Sequence, residues 1–306
     1  MKLSKDQTKI QIQQIRNATV KANYNGKIFL IDPWLAPKGA MGSFNSLNTG
    51  FNPVDPERAN IPMPMCELPF SIKEILDGVD YYILTHVHPD HFDLNYYNEV
   101  LDRNTPIFVQ NEEDYEFIKS LNFKDIRILQ ETGNIVDDIK LTRIEGIHGS
   151  LLPCGKSSGV IFESQNKPTL YFVGDTIMYE GVKRAINFYN PDIIVVNGAD
   201  AELTTFGHLI MDDEAVATIH KLIPNAKIIV SHLDNVAHGS ITREVMYQRL
   251  SEKGIVHDIL IPEDGEIWVY NFWCWYLNVL TPFLLFFKKK MRQVNFPDKI
   301  KSPNKI

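Results

Sequence analysis

Residues 81–91 read YYILTHVHPDH. The first five are aromatic, aliphatic and β-branched, a run too short for a helix and suited to a buried strand. The next six hold three histidines and an aspartate, in a chain with nine histidines in all. His86 and His88 alternate along an extended segment and so share a face. Pro89 cannot donate to a sheet ladder, so the segment turns, and Asp90 and His91 lie on that turn. A strand end followed by a tight turn aims several side chains at one point. Two imidazoles could hold one ion there, while a carboxylate and a third imidazole hold a second nearby. The bland alternative is a solvated histidine-rich turn.

Similar apolar runs recur on both sides of this stretch. They fall at 27–32 (KIFLID), 107–109 (IFV), 126–129 (IRIL), 139–144 (IKLTRI), 159–163 (GVIFE), 169–175 (TLYFVGD), 192–196 (DIIVV), 227–231 (KIIVS) and 266–270 (EIWVY). Many are bounded by Gly, Pro, Asn or Asp, and all read as strands. Helical patterns separate several of them. SIKEILDGV (71–79) carries Ser71 and Glu74 at capping-box spacing. NEEDYEFIKSL (111–121), MDDEAVATIHKLI (211–223) and ITREVMYQRLSEKG (241–254) follow, the last ending on a glycine suited to a C-terminal cap. The pattern predicts a mixed α/β fold with helices outside the strands. Residues 36–70 are rich in Pro, Gly, Asn and Met and read as one long loop. Loops of that length are usually functional or disordered, and the apolar members here favour an ordered lid or substrate wall.

Composition narrows the function. The 306 residues are 44% hydrophobic and 23% charged, ordinary globular usage with enough apolar side chains for a sizeable core. A formal net charge of −7 offers no overall surplus of cations to neutralise phosphates, so nucleic acid is not an expected partner. The cysteines, Cys66, Cys154 and Cys274, are sparse and far apart, which argues against a disulfide framework and fits a reducing cytoplasm. The N-terminal residues are polar and lack the apolar stretch of a signal peptide. Residues 271–287, NFWCWYLNVLTPFLLFF, are followed by three lysines. That apolar stretch of about 17 residues is at the lower limit for a membrane span. Aromatics favour a membrane interface and a basic cluster favours an anionic leaflet, so peripheral membrane contact through 271–290 is one expectation. The other is a docking segment covering core or a homo-oligomer interface. The expected organisation is one domain over 1–270 and an aromatic, then basic, tail over 271–306.

The HxHxDH pattern after an apolar strand resembles the signature of the metallo-β-lactamase superfamily, and the resemblance extends over about residues 10–270. It implies a four-layer αβ/βα sandwich with a dinuclear metal site on the edge between two sheets. Later motifs match in order. His148 in EGIHGS, Asp175 in LYFVGDT and His232 in IIVSHLD each follow an apolar run, and Asp32 stands in FLIDPW. The resemblance implies one site of His86, His88 and His148, another of Asp90, His91 and His232, and Asp175 bridging them. Asp32 would support the ligands from behind. Trp34 would wall the pocket or belong to the core. The implied cofactors are two divalent ions; an N/O ligand set suits Zn²⁺ first, with Mn²⁺ and Fe²⁺ as alternatives.

Such a pair of ions would hold a bridging water with a pKa of about 7. Asp90 could pass a proton to the leaving group. The expected activity is therefore hydrolysis of a small-molecule substrate. The GAD and GH steps at 198–200 and 207–208, with EAV at 214–216, look similar to the branch that contains L-ascorbate-6-phosphate lactonase and the N-acyl-phosphatidylethanolamine phospholipase D enzymes. A lactonase-like cleavage of a small ester or lactone, phosphorylated or not, is the leading expectation. A phosphodiesterase of the same fold, phospholipase D-like included, is the second. A metal-stabilised binding or membrane-scaffold protein without catalysis is the third. His208 and His238 are expected to contact substrate or move a proton, against the bland reading of polar loop residues.

Overall fold

A computed structural model describes residues 3–48, 50–93 and 97–271, without the side chains of residues 97 and 98. The first part of the chain builds one sheet. Strands β1 (Lys9–Arg16), β2 (Thr19–Tyr24) and β3 (Lys27–Ile31) form an antiparallel meander. Strands β4 (Tyr81–Ile83), β5 (Ile107–Val109) and β6 (Ile126–Ile128) continue from β3 in parallel. The second sheet begins with β7 (Asn134–Val136), β8 (Ile139–Ile147), β9 (Lys156–Glu163) and β10 (Leu170–Phe172), neighbours running antiparallel. Strand β11 (Ile193–Asn197) runs parallel to β10. A ribbon of β12 (Glu202–Leu203) and β13 (Gly207–His208) precedes β14 (Lys227–Ser231) and β15 (Ile259–Leu260), which extend the second sheet in parallel. Strand β16 (Ile267–Asn271) returns to the first sheet beside β1. The sheet orders are β16-β1-β2-β3-β4-β5-β6 and β15-β14-β11-β10-β9-β8-β7.

Alternation along the strands sorts their side chains into layers. On one face of the first sheet, Ile15, Leu30, Tyr82, Leu84, Ile107 and Val109 pack with Ile75 of α2 (Ile72–Leu76) and Ile118 of α3 (Glu112–Ser120). On the second sheet, Ile161, Tyr171, Ile194, Val196, Ile228 and Val230 pack with three helices. These are α4 (Glu180–Tyr189), α5 (Asp213–Leu222) and α6 (Arg243–Glu252). The intervening residues face the space between the sheets. There Phe29 of β3 meets Phe162 of β9 edge to face, with ring centroids 5.0 Å apart, and Phe162 meets Phe172 at 5.6 Å. Each of these fully buried rings contributes about 1.5–3 kcal/mol through loss of water contact. Helix, sheet, sheet and helix are thus the four layers of the sandwich expected above.

The capping box at α2 forms: the Ser71 hydroxyl accepts from the Glu74 amide, and the Glu74 carboxylate accepts from the Ser71 amide. Two parts of the fold were not foreseen, and one expected loop holds short helical turns. The stretch KIQIQQIR–NATVKANY, not read as strands, is β1 and β2, with Gln11, Gln13 and Gln14 buried. Polar side chains hide the alternation, yet each finds partners; Gln14, for example, accepts from Ser231 and donates to the Asn17 carbonyl. Helix α4 was not read either, because Tyr179 offers no side-chain cap and Gly181 sits in the first turn. The described residues of segment 36–70 carry a four-residue helix, α1 (Phe44–Leu47), and a 3₁₀ turn, Pro56–Asn60, where one long loop was expected.

By internal contacts the chain divides at residue 270, and of the unit Asn271–Ile306 only Asn271 is described. The expected membrane contact through the tail therefore lies outside the described residues. No helix among the described residues is long and apolar enough to cross a membrane.

Candidate metal centre

Parallel strands place their carboxyl ends on one edge of a sheet, where an α/β fold leaves a crevice. Both sheets do this on the same edge. Asp32 follows β3, the histidine-rich turn follows β4, His148 follows β8, Asp175 lies beyond β10, and His232 follows β14. Asp32 and His232 have φ of 47° and 64°, in the left-handed region. Such strain in non-glycine residues collects at functional sites. Gly174 precedes Asp175 with φ of 70°, and a Cβ there would lie 2.3 Å from the Ser158 carbonyl oxygen. The Gly-Asp step is thus required by close backbone approach.

The structure brings all seven expected ligands together. Three sets of donor atoms each lie within 4.8 Å of one another: His86, His88 and His148; Asp90, His91 and His232; and His86, His91 and Asp175. The third set joins the other two. Asp175 Oδ2 is 3.1 Å from His91 Nε2, 3.9 Å from His86 Nε2 and His232 Nε2, and 4.0 Å from His148 Nε2. Asp90 Oδ2 is 3.3 Å from His232 Nε2. Except for His88, which is partly exposed, the ligands are buried. Gly155, with φ of 94°, leaves room for the His88 ring; a Cβ there would come 3.3 Å from Nε2.

Hydrogen bonds on the far side of each ring set which nitrogen faces inward. His91 Nδ1 donates to Asp32 Oδ2 at 2.9 Å, and His148 Nδ1 donates to the Leu209 carbonyl at 3.0 Å. Asp32 also accepts from the Thr85 amide and hydroxyl, and that hydroxyl lies 3.1 Å from His86 Nδ1. The Nε2 lone pairs of His86, His91 and His148 are therefore turned to the centre. Asn197 Nδ2 donates to Asp175 Oδ1 at 2.6 Å, leaving Oδ2 for the centre.

These donors fit divalent cations. His148 Nε2 and His88 Nδ1 face each other at 3.2 Å, as do His232 Nε2 and His91 Nε2. Converging lone pairs of this kind need either a shared proton or a cation. His86 Nε2 is buried with no hydrogen-bond partner among the described residues, and an ion would satisfy it. Electrostatics agree. Burial holds the imidazolium of His86 well below the usual histidine range, and pushes that of His88 down to about 4. Burial alone would raise Asp90 and Asp175, but His91 and other imidazoles outweigh it and hold both carboxyls well below the usual range. His86 and His88 are thus neutral imidazoles, and Asp90 and Asp175 ionised carboxylates, the ligand forms. His91 differs: burial is outweighed by Asp175, Asp32 and Asp90, which favour its charged form.

A cavity of about 350 Å³ opens onto this cluster. His88, Asp90, His148 and Asp175 line it, with His238 and Cys154. Trp34, Met41, Phe44, Phe51, Leu203 and Leu209 supply much of its apolar lining. Trp34 is both wall and core: it is fully buried and lines the cavity. His238 lines the cavity, with Nδ1 unpartnered among the described residues and burial pushing its imidazolium down to about 4. His208 is the exposed end of the β12–β13 ribbon, where Nδ1 is 2.7 Å from Asp200, and it is not among the described residues lining the cavity.

Three supporting residues escaped the sequence reading. Asn17, in the β1–β2 turn with φ of 52°, donates to the Asp90 carbonyl, and its own carbonyl accepts from the His232 amide. Asn197 orients Asp175. Arg16 is fully buried beneath the cavity wall, donating to the carbonyls of Trp34, Ala36 and Cys66. Nothing in an isolated Asn or Arg signals such partners.

Known proteins resemble this chain in sequence and fold. The family described as Beta-lactamase superfamily domain matches residues 29–233. The UPF0173 protein YddR of Bacillus subtilis is 39% identical over 267 residues, covering 85% of this chain and 100% of that protein. A crystal structure described as a "possible metal-dependent hydrolase" from Veillonella parvula superposes with a TM-score of 0.78 at 34% identity, over 84% of this chain and 98% of that one. The isothiocyanate hydrolase from Delia radicum gut bacteria superposes with a TM-score of 0.77 at 32% identity, over 85% and 99%.

Proposed function

The chain belongs to the beta-lactamase superfamily and is a metal-dependent hydrolase, and from that premise we propose that it hydrolyses small, uncharged, apolar molecules at an electrophilic carbon. The observation that carries this is the cavity lining: alongside the candidate ligands it is made of Trp34, Met41, Phe44 and Leu209, surfaces that would desolvate a charged phosphoryl group without pairing it. Isothiocyanates are the first substrates to test, since the similar enzyme from Delia radicum gut bacteria is named for them. A small ester or lactone is the second reading, because the same apolar wall accepts its uncharged body. A phosphodiester fits this wall least.

Two divalent ions would be held by His86, His88 and His148 and by Asp90, His91 and His232, with Asp175 between them. When bound, they supply a water acidic enough to attack near neutral pH and a Lewis acid for the substrate heteroatom. The rest falls to side chains. In R–N=C=S + H₂O → R–NH₂ + COS, water oxygen bonds to the central carbon, the C–N bond breaks, and both water protons end on nitrogen. Ionised Asp90 can take a proton at its carboxylate. Neutral His238, which lines the cavity and whose Nδ1 has no partner among the described residues, can carry one to the departing nitrogen. His208 is turned to Asp200 and is assigned no such part. The apolar wall excludes bulk water from the reacting end.

The test is a turnover panel on metal-loaded and chelator-treated protein: benzyl isothiocyanate, γ-butyrolactone, p-nitrophenyl acetate and bis(p-nitrophenyl) phosphate. Metal-dependent turnover of one of the first three supports the reading. Turnover of the phosphodiester alone would overturn it.

A further inference from the structure

We propose that the mouth of the cavity is a separate binding subsite, built on Phe51 and Phe206, for an alkyl or aryl-alkyl group carried by the substrate. This deepens the function proposed above and rests on it. The two rings come from loops far apart in sequence, with centroids 4.9 Å apart and planes at 60°. Phe51 lines the cavity, and Phe206, in the turn that joins β12 to β13, packs against the core. Backbone contacts fix the pair. The Thr204 amide donates to the Asn52 carbonyl at 3.0 Å, Pro53 bridges to Leu203, and the Leu151 amide donates to the Phe206 carbonyl at 2.9 Å. Such a braced aromatic pair is pre-formed, so little ordering is needed when a ligand arrives.

The apolar surface does not stop at the pair. Leu47 and Phe51 are each about two-fifths exposed, at 39% and 41%, and Leu151 of the adjoining loop is 70% exposed. Single exposed apolar side chains are ordinary, but a contiguous set at a cavity mouth marks a binding surface. Trp34, Met41 and Phe44 inside are continuous with Leu47 and Phe51 at the rim. A substrate confined to the ligand cluster would leave that rim in water. A chain leading outward past Phe51 would cover it.

Affinity should therefore rise with chain length. The experiment uses full-length metal-loaded protein and n-alkanols from propanol to octanol as probes, their binding read by displacement of a fluorescent apolar dye. Alkanols do not react, so this result stands apart from the hydrolysis reading. The subsite predicts tighter binding by up to about fourfold per methylene. Phe51→Ala and Phe206→Ala should each flatten that slope while keeping bound metal; Phe51→Ala should also keep the thermal midpoint, whereas Phe206→Ala, which loses packing against the core, lowers it. Phe188→Ala, on the distant α4 surface and 80% exposed, should keep the slope. Length-independent binding, or a slope unchanged in both rim variants, overturns the subsite. Co-sedimentation with phosphatidylcholine vesicles that is lost on Phe51→Ala, without any chain-length effect, would assign the rim to a lipid surface and also overturn it. If the alkanol slope holds and no isothiocyanate, ester or lactone is turned over, the subsite survives and the reaction assignment fails.

Discussion

His91 Nδ1 and Asp32 Oδ2 lie 2.9 Å apart, both residues buried, at the junction between a ligand and its support. The bond fixes the ring orientation that turns His91 Nε2 to the centre. Asp32→Asn keeps the size of the side chain and tolerates the positive φ. It replaces one carboxylate oxygen by an amide nitrogen, so either the His91 or the Thr85 bond is lost. Metal affinity should fall about 10–100-fold, the usual cost of disturbing a ligand's outer partner. Competition against a chromophoric chelator measures it; unchanged affinity would show that Asp32 does not orient His91.

Asp175 Oδ2 lies within 4.0 Å of four imidazole nitrogens, a position from which it can join both candidate ligand sets. Asp175→Ala should lose at least one ion per chain by elemental analysis, and turnover should fall by about 10³-fold or more, since the metal supplies several kcal/mol to the transition state. Full metal content with full turnover would refute the bridging assignment. Asn197→Ala, which frees Oδ1 but leaves the ligand in place, should show a milder loss of affinity.

The candidate ligands were legible in the sequence because histidine is scarce here and each one follows a strand-like run. Asp175 carried the added mark of a preceding glycine that the backbone requires. Asn17, Asn197 and Arg16 were not legible. Their parts depend on contacts between residues remote in sequence, such as Asn17 with Asp90 and Asn197 with Asp175. The same division holds for the fold. Strands of alternating or continuous apolar residues stood out. The pair β1–β2 did not, since its buried Gln11, Gln13 and Gln14 are polar and are satisfied only by tertiary partners. Segment 36–70 read as a lid or wall, but which of its residues face the cavity follows from how Arg16 pins its carbonyls.

That pinning gives a stability prediction. Arg16 is fully buried, with burial pushing its guanidinium down to about 10 and Asp264 opposing the shift. It also lies over the Trp34 ring at 5.1 Å. Arg16→Met removes the donors of three carbonyls, each costing about 1–3 kcal/mol when left unsatisfied. Stability should drop by at least about 3 kcal/mol, a midpoint shift on the order of 10 °C for a domain of this size. Thermal melting of metal-free protein reads it directly. A shift within 2 °C would mean the wall does not depend on Arg16.

Asp114, in the first turn of α3, gives a pH dependence separate from the metal. It is buried, and burial pushes its carboxyl up to about 6, with Glu113 adding to the rise while Gln110 and Lys156 oppose it. The unfolded carboxyl titrates near 3.9. Between these values the folded chain binds more protons than the unfolded one, so stability falls as pH rises from about 4 to about 6. The loss is complete above 6, and protonation restores stability below 4. Asp114→Asn removes this titration and cannot carry the buried charge. The midpoint difference, variant minus parent, should be near zero or negative at pH 4 and increase by a few degrees by pH 7. A difference that stays constant between pH 4 and pH 7 would show that Asp114 ionises in the folded chain as it does in water.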